Sequence, residues 1–308
     1  MQVSLYSAGD AGYAGDVNKL TTQERVSVVS CLVEGNSIRA TVRMTGVAKN
    51  TVAKLLSELG QACSEYQDKA FRNLHLKRIQ CDEIWAFIGC KEKNVSVKQK
   101  RKGWGDVWTW TALDAETKLV PCWYVGTRDA YAAFHFMHDL KGRLASRVQL
   151  TTDGLRTYVE AVEDAFGSEI DYAQLVKIYG NAPEGAQGRY SPAQCMGTRK
   201  AVISGTPEYR HVSTSYTERH NLTMRMQMRR FTRLTNAFSK KVENHAAAIA
   251  LYFMYYNFCR IHQTLRVTPA MEAGVTDHVW SLEEIVNLIR SEHLSRKENR
   301  ESGNIQPV

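Results

Sequence analysis

Ile79-Gln80-Cys81-Asp82-Glu83-Ile84-Trp85-Ala86-Phe87-Ile88-Gly89 is an apolar run that carries two adjacent acids. Its β-branched and aromatic content, closed by glycine, reads as a strand. A carboxylate buried in such a strand is costly unless it is paired or bound to a metal. Asp82 therefore needs a partner. Glu83 must face the other side of the sheet because strand side chains alternate. Alternation alone does not say which of the two faces a site. Asp153 closes a second short strand, Val148 to Thr152, just before Gly154. It is either an Asx-turn residue capping the next helix or a ligand exposed at a strand end. Glu218 falls near the start of a long basic helix, where a plain dipole role is common. The chain has 32 acids, so these three matter through position rather than number.

The segments around them complete a pattern. Val107–Leu113 and Leu119–Val125 read as strands joined by the turn Asp114 to Lys118. Thr127 can cap a helix running from Asp129 to about Leu144. Leu155–Phe166 reads as a helix and Tyr172–Ile178 as the last strand. Residues 180–212 contain Gly and Pro and show little periodicity. A segment that long is a functional loop or grips another part of the protein. Two long helices follow, about 214–239 and 242–262. Three hairpin-like strands, then helix, strand, helix, strand and terminal helix, define an α/β class. The expected architecture is a ribonuclease-H-like mixed sheet with flanking helices. Ligands in open sheets gather where strand connections diverge.

A small all-α module precedes the sheet. Thr21 and Thr22 offer a cap, and Val26, Val29 and Val33 follow at helical spacing. Ser37 caps a second short helix, Thr45-Gly46-Val47 turns, and a third helix runs from about Lys49 to Leu59. Helix, short helix, glycine turn, helix is the helix-turn-helix pattern. Lys49, Asn50, Thr51 and Lys54 are the exposed start of its recognition helix; a plain three-helix packing module is the alternative. Ala48 stands where Ser, Thr or Asp normally caps, a loss of about 1 kcal/mol. The expected organisation is a flexible lead over 1–20, the helix-turn-helix over 21–60 and a polar helical linker over 61–76. The sheet domain spans 77–270, with the 180–212 loop inserted. A C-terminal helix and a loose tail fill 271–308.

The chain has 308 residues, a net charge of +8 and a pI near 9.1. That balance weakly favours a polyanionic partner. Seven cysteines with no CxxC pair argue against a zinc site and for a reduced, cytoplasmic setting. The first twenty residues are polar and Gly-rich, unlike a secretory signal. The most apolar run, Ala246 to Tyr256, is too short for a bilayer, which needs about 20 residues. His135, His138 and Asp139 sit at metal-like spacing but read as part of an amphipathic helix. Lys91 to Lys102 holds six Lys/Arg and one acid. It either touches phosphates or is a solvated loop. From Arg219 to Lys241 there are seven Lys/Arg and no acid. Arg225, Arg229 and Arg233 repeat every four residues and so share one helix face. An acid-free stripe of this kind, Arg230 included, suits a phosphate backbone.

Three acids from separate elements can hold two Mg²⁺ ions, which drive phosphodiester chemistry. The strings Asp82-Glu83-Ile84-Trp85-Ala86-Phe87, Thr152-Asp153-Gly154 and Glu218-Arg219-His220-Asn221 carry a resemblance. So do Arg229-Arg230-Phe231-Thr232-Arg233-Leu234 and the block from Asn257 to Pro269. From the helix-turn-helix to about residue 280, the chain resembles bacterial insertion-sequence transposases of the insertion-sequence-one type, within the DDE group. The resemblance implies Asp82, rather than Glu83, with Asp153 and Glu218 as catalytic ligands of two Mg²⁺, which Mn²⁺ can replace. It implies strand cleavage and strand transfer without a covalent enzyme intermediate. It further implies recognition of terminal inverted repeats in double-stranded DNA, capture of target DNA, and a homo-oligomer pairing two ends near the bacterial nucleoid. His220 and Arg219 are candidates to assist the site, His220 alternatively only packing. A hydrolysis-only nuclease and a non-catalytic repressor derived from a transposase are the competing readings.

Overall fold

The computed structural model describes residues 19–180, 195–232 and 236–289. The expected flexible lead, apart from its last two residues, lies outside these ranges. So do residues 181–194 of the long loop, Arg233 and the tail beyond residue 289.

Three helices come first, α1 (Thr22–Val33), α2 (Ile38–Thr45) and α3 (Lys49–Ala70). Local chemistry sets their ends. Thr21 Oγ1 accepts from Glu24 N at 3.2 Å while Glu24 Oε2 accepts from Thr21 N at 2.8 Å, a reciprocal box. Ser37 Oγ accepts from Ala40 N at 3.1 Å. Gly46, at φ 74°, ends α2 in the left-handed region that favours glycine. Ala48 gives α3 no side-chain cap. α3 nevertheless runs on past the expected end at Leu59, because Ala62, Cys63 and Gln67 continue its buried face.

The sheet is built from β1 (Arg78–Ile88), β2 (Gly105–Asp114), β3 (Cys122–Gly126), β4 (Gln149–Asp153), β5 (Asp171–Tyr179) and β6 (Cys195–Ser204). A 3-10 turn, Glu92–Asn94, and the single-turn α4 (Val97–Lys100) lie between β1 and β2. α5 (Ala130–Lys141) joins β3 to β4, and α6 (Thr157–Phe166) joins β4 to β5. The spatial order is β3-β2-β1-β4-β5-β6. β4 runs parallel to β1 and β5, and the other pairings are antiparallel. A six-stranded mixed sheet flanked by helices is consistent with the ribonuclease-H-like expectation. After it come α7 (Ser215–Gln227), α8 (Val242–Met254), a π-helical turn Tyr255–Cys259, α9 (Pro269–Glu272) and a helix over 282–289.

The two sheet faces are distinct. Trp110 on β2 packs against Phe136 of α5 and Tyr158 of α6. The opposite face carries Trp123, which packs on Phe253 of α8 with ring centroids 4.8 Å apart. Buried Gln80 of β1 meets α7 there: its Oε1 accepts from Tyr216 N at 2.9 Å and Thr217 N at 3.3 Å. Two donors of the first turn of α7, which have no partner inside the helix, are thereby fixed to a strand. α3 closes over α8 so tightly that a Cβ on Gly60 would stand 2.4 Å from Ala247 Cα. Among the described residues no helix is long and apolar enough to cross a membrane.

Three expected elements differ. Tyr172–Ile178 is not the last strand, since β6 follows within the segment read as an aperiodic loop. β6 is an edge strand whose exposure does not alternate along its length, so no period of two is written into its sequence. The strand expected from Leu119 starts only at Cys122. The backbone of Val120 instead pairs with a side-chain amide: Val120 N donates to Asn257 Oδ1, and Asn257 Nδ2 donates to Val120 O, each at 3.1 Å. The helix expected over 214–239 stops at Gln227. Met228 turns to an extended backbone (φ −126°, ψ 100°), and a 3-10 turn, Arg229–Phe231, then buries Phe231.

Asn257 is fully buried. An Asn257→Leu variant should lose about 2–4 kcal/mol, because it strands an N–H and a C=O in the core. Thermal or urea unfolding measures this, and a loss under about 1 kcal/mol would show that the amide is not what holds this segment.

Candidate active site

β1 and β4 pair through Gln80↔Thr151 and then part. Asp82 and Asp153 each lie two residues beyond that last pair. The two carboxylates therefore sit side by side, where the sheet opens. Asp82 shares its face with Gln80 and looks toward α7. Asn221 of α7 donates from Nδ2 to Asp82 Oδ2 at 2.8 Å. Glu83 N donates to Asp82 Oδ1, also at 2.8 Å.

Glu83 points to the α5/α6 face, as alternation requires. Its side chain is 1 % exposed and accepts from Arg128 Nε at 3.0 Å. It also accepts from the hydroxyl of Tyr158 on α6. Asp153, at the very end of β4, reaches both sides. Arg128 Nη2 lies 3.6 Å from Asp153 Oδ2, and Asp153 Oδ1 accepts from Leu155 N at 2.9 Å. Asp153 thus makes the expected Asx-type turn bond and still joins the cluster. One carboxylate oxygen each from Asp82, Glu83 and Asp153 all fall within 4.8 Å of one another.

Glu218 sits in the first turn of α7 but does not complete that group of three. Its Oε1 accepts from Thr214 Oγ1 at 2.5 Å, and its Oε2 lies 2.7 Å from Lys177 Nζ. Lys177 faces it because Asp153 pairs with Leu175 and Lys177 is two residues further along the same face. The structure therefore brings Asp82 and Asp153 together with Glu83. Glu218 is close enough for its charge to act on Asp82.

The electrostatics follow from burial among like charges. Burial, then the Asp153 charge and more weakly that of Glu218, push Asp82 up to about 6, against the bonds from Glu83 N and Asn221. Burial and Asp153 push Glu83 up to about 7, opposed by the Tyr158 bond and Arg128. Burial opposes the charge on Lys177, but the Glu218 bond and charge outweigh it and its pKa is raised. A close set of hard oxygen donors under mutual repulsion suits a divalent cation such as Mg²⁺. Asn221 Oδ1 is buried beside Asp82 with no hydrogen-bond partner among the described residues, one more oxygen without a proton to accept.

His220, beside Glu218 in sequence, points away into the core. It lies among Tyr252, Phe253 and Tyr256, the last at 4.6 Å between ring centroids. Burial first, then Arg260 and His262, lower its pKa to about 3, so the ring is neutral and packed. Arg219 is exposed. Lys49, Asn50 and Lys54 are exposed at the start of α3 with Thr51 half-buried, and Lys54 Nζ lies 3.7 Å from Glu58. Arg225, Arg229 and Arg233 do not form one helical face. α7 ends between the first two, and Arg233 lies outside the described residues. Arg230 is committed internally, donating to Ser239 Oγ at 2.7 Å and to Asn244 O at 3.3 Å. His135 and His138 lie on α5; His138 Nε2 is 2.7 Å from Asp164, and Asp139 pairs with Arg143.

Sequence reading missed Arg128, Lys177 and the engagement of Glu83. Asn221 carries a weak signal, since three residues past Glu218 is nearly one turn of helix. Arg128 sits in the connection before α5, where no periodicity speaks for it.

No family model matches the chain, and no curated protein does. Among solved structures it is similar to piggyBac transposase in a synaptic complex with hairpin DNA. That match has a TM-score of 0.40 and 11% identity, over 97% of this chain and 80% of that one.

The raised carboxylates make a stability prediction for the metal-free protein. The folded chain holds protons on Asp82 and Glu83 that the unfolded chain has already lost, at about 3.9 and 4.3. Stability must therefore fall as pH rises from about 4 through about 7, and the penalty is fully present above the folded values. Asp82→Asn should flatten that fall and gain about 2–3 kcal/mol at pH 8 in chelator. An unchanged pH slope of the melting temperature would contradict the crowding of these carboxylates.

Proposed function

We propose that this chain is a DNA transposase that cuts and joins DNA strands through divalent metal ions held by Asp82, Asp153 and Glu218. The observation that carries the reading is the adjacency of Asp82 and Asp153 at the parting ends of β1 and β4. α7 lays Glu218 over the same face. Two Mg²⁺ held there would activate water or a 3′-hydroxyl and stabilise the leaving oxygen. Mn²⁺ would substitute, having the same preference for oxygen ligands.

The chain's own residues have separable tasks in this reading. Asp82 and Asp153 supply the paired negative charge. Asn221 fixes the Asp82 carboxylate through one oxygen, and the other is tied to Glu83 N. Thr214 and Lys177 hold Glu218 in its rotamer, and Gln80 sets the position of α7. Glu83 anchors Arg128 beside Asp153. The three N-terminal helices would read the terminal inverted repeats through Lys49, Asn50, Thr51 and Lys54 on α3. Homo-oligomers pairing two ends, the insertion-sequence-one type and a bacterial nucleoid setting belong to the same proposal.

Asp82→Asn, Asp153→Asn and Glu218→Gln should each abolish Mg²⁺-dependent cleavage and strand transfer, while binding to element-end DNA stays within about threefold, under 1 kcal/mol. Gel analysis of labelled end DNA with a target plasmid reads both reactions. Joined donor–target product defines a transposase and cuts alone a nuclease. A variant with near wild-type joining would remove that residue from the set.

Lys49→Ala with Lys54→Ala should lower the preference for end DNA over random DNA. Competition binding at several salt concentrations measures the ratio, since nonspecific contacts fall with salt for both DNAs. An unchanged ratio would place sequence reading elsewhere.

A further inference from the structure

The arginine stripe expected to carry DNA is broken in the fold, yet a second basic segment is ordered and exposed. Residues 91–102 form the tip of the β1–β2 hairpin, shaped by the 3-10 turn Glu92–Asn94 and by α4. Ser96 and Gln99 close a capping box on α4, with Ser96 N donating to Gln99 Oε1 at 2.9 Å. Glu92, the single acid, is taken by Lys100 Nζ at 2.9 Å. Lys93, Lys98, Arg101 and Lys102 are exposed and make no ion pair among the described residues. The hairpin tip thus presents uncompensated positive charge on a folded scaffold.

That tip is joined to the carboxylates by a row of groups, Lys91, Trp85 and Trp108 half-buried and Arg128 exposed. Lys91 Nζ lies over the Trp85 ring, 5.4 Å from its centroid. Trp85 is the cross-strand register partner of Trp108. The Arg128 guanidinium lies over Trp108 at 4.9 Å and reaches Glu83 and Asp153. Cations over indole faces are held in place by the ring quadrupole. Lys91 is therefore pre-positioned between the basic tip and Asp153, on the face opposite α7, and Arg128, already paired with Glu83 and Asp153, ends the row at the carboxylates.

We propose that this hairpin tip and the Lys91–Trp85–Trp108–Arg128 row form a track for the phosphate backbone of duplex DNA, leading it to the carboxylates. The track rests on the strand-transfer reading of the site and adds the path by which its substrate arrives. Its recognition is of phosphate, so it is indifferent to sequence.

The test is the triple variant Lys98→Ala, Arg101→Ala, Lys102→Ala in the full chain. All three side chains are exposed, so the fold is expected to persist, and an unchanged thermal unfolding curve verifies this. Binding of a labelled random-sequence duplex is measured by anisotropy across a salt series, together with Mg²⁺-dependent cleavage. The slope of log affinity against log salt should fall by about 2–3, since each lost phosphate contact removes about 0.9. Affinity at low salt should fall at least about tenfold. An unchanged slope in a folded variant overturns the track, whether or not the wild-type protein cleaves. A flattened slope with no wild-type cleavage keeps the track and sinks the strand-transfer reading instead. Lys91→Met alone should produce part of the same flattening, and its failure to do so would cut the row from the tip.

Discussion

Asp82 and Asp153 repel each other, and the rest of the site is arranged around that repulsion. Parallel pairing of β1 with β4 fixes the two carboxylates at the same level of the sheet. Burial then denies Asp82 much of its water, so its charge is poorly relaxed by solvation. The fold answers with groups from four separate elements. Arg128, from the connection before α5, leans on Asp153 and Glu83. Asn221 of α7 and Glu83 N of β1 bond the two oxygens of Asp82. Lys177 of β5 takes Glu218. Among the described residues none of these is an ion pair to Asp82, so the Asp153 charge still acts on it. What remains is a net negative charge concentrated at one place, with oxygens of Asp82, Glu83 and Asp153 within 4.8 Å of one another.

The placement of α7 is as consequential as the strands. A helix bearing Glu218 and Asn221 is useful only if its first turn stays over Asp82. Gln80 provides that constraint by accepting from two α7 amides, two residues before Asp82 on the same strand face. Behind α7, His220 and Met224 anchor its buried side. α8 is wedged against α3 at Gly60, so the platform behind the site is backbone-close and stiff. The neutral, packed state of His220 belongs to this platform. A charged imidazole there would sit among three aromatic rings with its Nε2 lacking a partner among the described residues.

The parts of this arrangement legible in the sequence were those written in local chemistry. Thr21, Ser37 and Asp153 announce their cap or turn roles because the side chain bonds backbone two or three residues away. Asp82 stood out because an acid in an apolar strand violates pattern, and such violations mark functional positions. What stayed hidden depends on distant partners. Asn257 substitutes for a strand 137 residues away in sequence, and no window around Val120 contains that information. The break after Gln227 escaped notice because Met224, Met228 and Phe231 fit a helical period whether or not the helix continues. β6 escaped because an edge strand need not alternate. Glu83 was correctly sent to the opposite face, yet opposite faces converge where a strand ends, and Asp153 ends one.

The broken α7 also changes how the basic residues must be weighed. A net charge of +8 says that a polyanion is tolerated, not where it lies. In sequence, the acid-free run after Arg219 looked the better phosphate surface, because a spacing of four implies one helix face. Folding removes that premise. Arg230 turns inward, where burial lowers its pKa to about 10, and Arg229 belongs to a different turn from Arg225. The Lys91–Lys102 segment gains by the same criterion. Its single acid is consumed internally, its shape is set by its own caps, and its charge faces outward. Sequence density of arginine is thus a weaker guide to a phosphate path than the count of cations left unneutralised once every internal partner has been assigned.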